Sequence, residues 1–209
     1  MMDVVIYGAG GLGREIYDTL LFLNSRNMAF NVVGYIDDVM DSGALVNGVR
    51  VLGDSSLLAA MQGKVGIIIG IAAPEVRKKL HTKYKNNFLF PNIIHPIALV
   101  SPFAELGEAI LIQSNCVVAA NSKIGAGVMM NAHSGVGHDA QVGEYCSIMS
   151  YCDLAGYTRL GELSFVGTGA KVIPSTSIAA ESYLCAGAVV FKDVDKKSKL
   201  MGNPAKIIG

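Results

Sequence analysis

From Val100 to Val190 every sixth residue is aliphatic, with no insertion or deletion. The series runs Val100, Leu106, Ile112, Val118, Ile124, Met130, Val136 and Val142, then Ile148, Leu154, Leu160, Val166, Val172, Ile178, Leu184 and Val190. A second series stands two residues before it, from Ala98 to Ala188, and is small at fourteen of its sixteen places. A period of six fits neither the 3.6-residue turn of a helix nor the strict alternation of a long strand. It fits a coil of short strands joined by tight corners. The large residue fills the core along each flat side, and the small one sits where the chain must turn. This is the signature of a hexapeptide β-helix.

The register begins only near Ala98, and a different pattern precedes it. Residues 2–7 read as a buried strand, followed by the turn Gly8-Ala9-Gly10-Gly11-Leu12-Gly13 and a helix from Arg14 to about Ser25. Asn31 to Ile36 reads as a second strand closed by Asp37-Asp38, and 55–62 as a short helix. Val65 to Ile71 reads as a third strand, Pro74 opens another helix, and Phe88 to Phe90 reads as a fourth short strand. Strands alternating with helices indicate a small parallel α/β sheet. The expected organisation is therefore a Rossmann-like domain over 1–92 and a β-helix over 93–209 with a C-terminal cap. The tail Gly202-Asn203-Pro204-Ala205-Lys206 lies outside the repeats.

Composition narrows the function classes. The chain is 51% hydrophobic with formal zero net charge, so it lacks the basic excess from which nucleic-acid binding draws its affinity. A neutral chain this apolar is expected to self-associate. No apolar run is long enough to span a bilayer and the first residues do not read as a signal peptide, so a cytoplasmic location is expected. Of four cysteines, Cys116, Cys146 and Cys152 fall in the small series, and no pair has metal-ligand spacing. All four, Cys185 included, are expected as free thiols, and no metal site is expected.

Two constellations carry chemistry. The glycine turn matches G-x-G-x-x-G between a strand and a helix, where backbone N–H groups can meet a phosphate. Asp37 follows Gly13 by 24 residues, where an acid could bind ribose hydroxyls. A domain of this length suits a mononucleotide or nucleotide-sugar better than a dinucleotide; a plain strand-to-helix turn is the alternative. In the coil, three sides of six residues stack positions eighteen apart, about 4.8 Å from one another. His138 then lies beside Gly156, which has no side chain. An imidazole next to exposed backbone N–H groups is what acyl transfer needs: a base of near-neutral pKa and donors for a developing oxyanion. His133 is the rival base, stacking with Asn115, Tyr151 and Gly169 in an outward polar column. His81 lies in a Lys-rich helix and reads as part of a solvated face, and His95 as a starter of the coil.

Over nearly its whole length the chain resembles the NeuD/PglD-type sugar acetyltransferases. The resemblance is carried by Gly-Ala-Gly-Gly-Leu-Gly at 8–13, Tyr-Ile-Asp-Asp at 35–38, Pro-Glu-Val-Arg-Lys-Lys at 74–79 and Ile-His-Pro at 94–96. It continues in Gly-His-Asp at 137–139, Leu-Ala-Gly at 154–156, Gly-Ala-Val-Val at 187–190 and Gly-Asn-Pro-Ala-Lys at 202–206. It implies a left-handed β-helix, a homotrimer, and acetyl-CoA as co-substrate in a groove between coils. It implies His138 as general base with Asp139 raising its basicity, and Asn131, Gly156, Thr168 and Ala186 as residues contacting the acetyl donor. The acceptor would be a nucleotide-linked amino-sugar held by Gly10, Gly11, Leu12, Gly13, Asp37 and Asp38. O-acetylation of a sialic acid, or a non-catalytic sugar-nucleotide-binding protein on the same scaffold, are the alternatives. The chain departs from relatives at Leu12, where many have His, at Ser147, where some have a second His, and at Ala186, a frequent glycine. Those departures bear on the acceptor.

Overall fold

A computed structural model describes residues 1–26 and 30–208. The chain divides into two compact units: Met1–Ala72 with Val76–Ile93, and Ala73–Glu75 with the chain from Ile94 onward.

Unit 1 contains β1 (Met2–Tyr7), α1 (Gly11–Asn24), β2 (Phe30–Ile36), β3 (Leu45–Val46), β4 (Val49–Gly53), α2 (Leu58–Met61) and β5 (Gly66–Ile69), and α3 (Pro74–Tyr84) runs across the unit boundary. The sheet order is β3-β4-β2-β1-β5, parallel except for the β3–β4 hairpin. Val4, Val5 and Ile6 on the central strand are fully buried, as expected of a parallel strand covered on both faces. The hairpin has a sequence signal that hydrophobic alternation alone does not reveal. Its two-residue link is Asn47-Gly48, both at positive φ (48° and 79°), the geometry of a primed hairpin turn. The strand expected at 88–90 reduces to one parallel bridge between Leu89 and Gly66. His81 is a second correction: it is 2% exposed and meets the Phe90 ring edge-on at 4.5 Å. Arg77, one helical turn earlier, is also buried and donates to the carbonyls of Ile71 and Ala72. The polar face of this helix is thus partly an inner face, because the arginine finds backbone acceptors there.

Unit 2 is a left-handed parallel β-helix. Its first face stacks Leu99–Val100, Val117–Val118, Gly135–Val136, Asp153–Leu154, Lys171–Val172 and Val189–Val190. The second face stacks Glu105–Leu106, Lys123–Ile124, Gln141–Val142, Arg159–Leu160 and Ser177–Ile178. The third carries Leu111–Ile112, Met129–Met130, Ser147–Ile148, Phe165–Val166 and Tyr183–Leu184, and Lys199–Met201 and Lys206–Ile207 extend it. Every register step within the repeats is eighteen residues, as in Val118 to Val136 and Val142 to Leu160.

The aliphatic series forms one core with the small series, in which residues such as Cys116, Ser122, Ser134, Cys146 and Ser164 are buried. Two buried hydroxyls there bond to carbonyls: Ser122 Oγ donates to that of Ala119 at 2.7 Å and Ser134 Oγ to that of Met149 at 2.6 Å. A third sixfold series emerges from the backbone. Residues 109, 115, 121 and so on through 187 all have φ between 57° and 71°. Each corner from residue 109 to 187 therefore contains one left-handed residue, a conformation that Asn, Asp and Gly adopt most readily.

Close approach explains one glycine of the unit 1 turn. A Cβ on Gly13 would lie 1.9 Å from the Gly8 carbonyl oxygen, whereas one on Gly11 would meet nothing within 4 Å. Gly13→Ala should destabilise the protein by about 3 kcal/mol, the upper part of the overpacking range. Gly11→Ala, in the first turn of α1, should be neutral or stabilising by up to about 1 kcal/mol. Urea denaturation of the two variants measures the contrast, and equal effects would contradict it.

Candidate active site

The corner between the first and second faces of the coil holds residues 137–140. Asp139 is its left-handed residue, with φ +59°, and its carboxylate lies beside the preceding side chain. His138 Nδ1 lies 2.8 Å from Asp139 Oδ2. The bond to His138 is the main reason the Asp139 carboxyl is held below its usual pKa range, and Asn121 and Tyr157 add to it. A neutral imidazole facing a carboxylate carries its proton on that nitrogen and leaves Nε2 as the free base. Nε2 is directed at Gly156: a Cβ there would lie 2.7 Å from it. The imidazole thus occupies space that any other residue at 156 would fill. The Gly156 N–H has no hydrogen-bond partner among the described residues, so a donor stands next to the base.

His133 differs in its surroundings. It lies on the corner between the third and first faces and stacks on Tyr151, with ring centroids 4.8 Å apart and planes 1° apart. No carboxylate partners it among the described residues. Asn131, Thr168 and Ala186 lie on that same corner, between the third-face and first-face strands of their coils. Within one chain, then, His138, Asp139 and Gly156 come together, and Asn131, Thr168 and Ala186 form a separate set across the first face. The Asn131 side chain accepts from the Ala132 N–H at 2.7 Å.

Two partners of the dyad lie at positions sequence reasoning did not single out. Asn121 Nδ2 donates to Asp139 Oδ1 at 3.4 Å, and the Tyr157 ring meets the His138 ring edge-on at 5.1 Å. Both are eighteen residues from Asp139, so the stacking rule that pairs His138 with Gly156 could have found them. All four cysteines are buried and outside any disulfide, and burial pushes the Cys116 and Cys152 thiols up to about 11.

In unit 1 the glycine turn follows β1 and opens α1. Gly10 caps the helix without a side-chain hydrogen bond, and neither Gly10 nor Gly11 is crowded. Leu12 is half-buried, and Arg14 Nε lies 3.4 Å from the Gly10 carbonyl. Asp37 accepts from the N–H groups of Ala9, Val39 and Met40 at 2.8–3.0 Å. Partial burial pushes this carboxyl up, but the three N–H donors outweigh it and hold it below the usual range. Asp38 accepts from the Tyr7 hydroxyl and the Ser55 N–H. The Tyr7 bond is the main cause of its lowered pKa. Each carboxylate is therefore anchored by its own chain, with more acceptor capacity left on Asp38.

Residues 3–84 match the family model described as the PglD N-terminal domain. Three solved structures match the chain end to end. PerB from Caulobacter crescentus, in complex with CoA and GDP-perosamine, is 32% identical with a TM-score of 0.91, over 100% of this chain and 98% of that one. The acetyltransferase domain of PglB from Neisseria gonorrhoeae FA1090 is 28% identical with a TM-score of 0.89, over 100% of both chains. WeeI from Acinetobacter baumannii AYE is 26% identical with a TM-score of 0.88, again over 100% of both. With the α/β unit, the unbroken coil and the Gly-His-Asp corner in the same order, the chain belongs to the NeuD/PglD-type family of sugar acetyltransferases.

Proposed function

We propose that the protein transfers the acetyl group of acetyl-CoA to the amino group of a nucleotide-activated amino-sugar, with His138 as general base. The observation that carries the reading is the carboxylate-backed imidazole whose Nε2 faces the gap at Gly156. The similarity to PerB, solved with CoA and GDP-perosamine, and to the PglB domain, solved with acetyl coenzyme A, supports both substrates.

The residues divide the work. His138 Nε2 takes the proton of the attacking amine as its nitrogen bonds to the thioester carbonyl carbon. The Gly156 N–H donates to the oxygen on which negative charge develops. His138 then returns the proton to the departing sulfur as the carbon–sulfur bond breaks. Asp139 stabilises the imidazolium between these steps. Transfer is direct: buried, protonated Cys116 and Cys152 offer no thiolate.

The donor-contacting set includes Thr168 and Ala186, whose N–H groups have no partner among the described residues. They and Asn131 lie on a different corner from His138, so a neighbouring copy supplies them in this reading, and the protein is a homotrimer. Exposed Leu99 and Val117 on the intervening first face fit burial against such copies. The acceptor's phosphates fit the uncrowded N–H groups at Gly10 and Gly11, beside Leu12 and Gly13, and its ribose or base fits Asp38 and then Asp37. Four buried cysteines outside any disulfide suit a reducing, cytoplasmic setting.

His138→Ala should lower turnover by roughly 10²–10⁴-fold, the range for a lost general base. His133→Ala should change it little. Steady-state assays with acetyl-CoA and UDP-, dTDP- and GDP-linked amino-sugars, alongside free and CMP-linked sialic acid, test the base and the acceptor together; near-full turnover by the His138 variant would sink the assignment. Gly156→Ala should fold yet lose about 10²-fold in turnover, because its methyl displaces Nε2 by an ångström or so. Native-like circular dichroism with native turnover would count against the geometry. Sedimentation equilibrium should return three times the mass of one chain, and a monomer would exclude the shared site.

A further inference from the structure

We propose that Tyr157 is a positioning residue that locks the His138 imidazole and its Asp139 partner in the orientation for proton transfer. The proposal rests on His138 being the base. His138 and Asp139 are not enclosed: their side chains are 58% and 33% exposed. An exposed imidazole samples its rotamers on the picosecond to nanosecond scale unless something restrains it. Its aspartate supplies one restraint, along a single hydrogen bond.

Tyr157 supplies the others. It stands one coil beyond Asp139, and its backbone N–H donates to the His138 carbonyl at 3.0 Å. With no side chain at Gly156, the imidazole leans into the next coil and meets the Tyr157 ring at 90°. Rings that share a stacking column meet differently: His133 and Tyr151, eighteen residues apart, lie flat on each other. The edge-on Tyr157 ring is a wall that blocks rotation of His138 away from Asp139. Its hydroxyl also helps hold the Asp139 carboxylate in its charged form, together with Asn121 from the coil on the other side. The corner residues one coil to either side, Asn121 and Tyr157, therefore brace one carboxylate.

The fold itself does not call for tyrosine here. At this corner the other coils hold Asn121, Asp139 and Ser175 in the left-handed position, and tyrosine recurs in that position on the other two corners at 145 and 151; Tyr157 is 56% exposed. Its large side chain is spent on the neighbouring dyad.

Two readouts test the proposal. Turnover of Tyr157→Leu should fall by about 10–100-fold, the scale of an ångström-level misplacement, with the KM for acetyl-CoA nearly unchanged. Tyr157→Phe keeps the wall and loses the hydroxyl, and should fall only about 3-fold, less than the tenfold that 1.4 kcal/mol would give. Nitrogen-15 spectra of the His138 ring, assigned with His138→Ala, should show mainly the Nδ1–H tautomer in the native protein and a mixture in Tyr157→Leu. Native turnover in Tyr157→Leu, or reduced turnover with unchanged His138 signals, would overturn the proposal. Should Tyr157→Leu fail to fold, Tyr157→Ser, which removes the wall and puts in the residue this corner holds at Ser175, decides it: native turnover with native His138 ring signals there is the overturning result. An active His138→Ala would instead overturn the base assignment, which the tautomer measurement does not presuppose.

Discussion

Each coil of the second unit is hydrogen-bonded to the next eighteen residues on, and the chemistry of the corners depends on that ladder. Bonds such as Gly137 N to the Leu154 carbonyl at 2.7 Å and Gly143 N to that of Leu160, also at 2.7 Å, fix the height of every corner. A parallel ladder repeated from coil to coil leaves little freedom for one coil to slide on another. Corner side chains are thus presented at set spacing, and an empty position becomes a defined space rather than a flexible one. Gly156 is such a position, and the His138 imidazole lies in it. The small-residue series is the complement inside: Cys146, Ser164 and Ala170 let the corners close without strain in the core.

Local backbone conformation then decides which groups meet. Asp139 is held at positive φ by the same rule that governs all the corners, and its carboxylate lies next to His138 rather than out along the second face. The left-handed corner is a structural necessity of the coil that has been filled, beside His138, by a carboxylate. In the first unit the glycines separate along similar lines. Gly13 is required because β1 and α1 approach too closely for a Cβ, whereas Gly10 and Gly11 are crowded by nothing in the protein. The second pair leaves the α1 N-terminus approachable, which suits a phosphate better than it suits packing.

Legibility varied with the range of the interactions involved. The coil was legible because each residue of its core repeats a local environment, so one periodic pattern is written sixteen times. The Asn47-Gly48 hairpin was legible in principle, though its strands are too short for alternation to show. His81 was not: a histidine among lysines looks solvated, and its burial depends on Phe90 and on acceptors that Arg77 finds at Ile71 and Ala72. Asn121 and Tyr157 occupy the same stacking column as Asp139, but nothing in their residue types marks them as partners until the side-chain directions are known.

The sequence by itself determined the architecture, the eighteen-residue stacking and the pairing of His138 with Gly156, since all three follow from a period that the chain keeps without error. Tertiary structure alone decided the direction of Nε2 and the bracing of Asp139 by Asn121 and Tyr157. The physical reason is that periodicity states which residues share a stacking column and a corner of the coil. Which way a side chain turns depends on backbone dihedrals and on contacts that no repeat encodes.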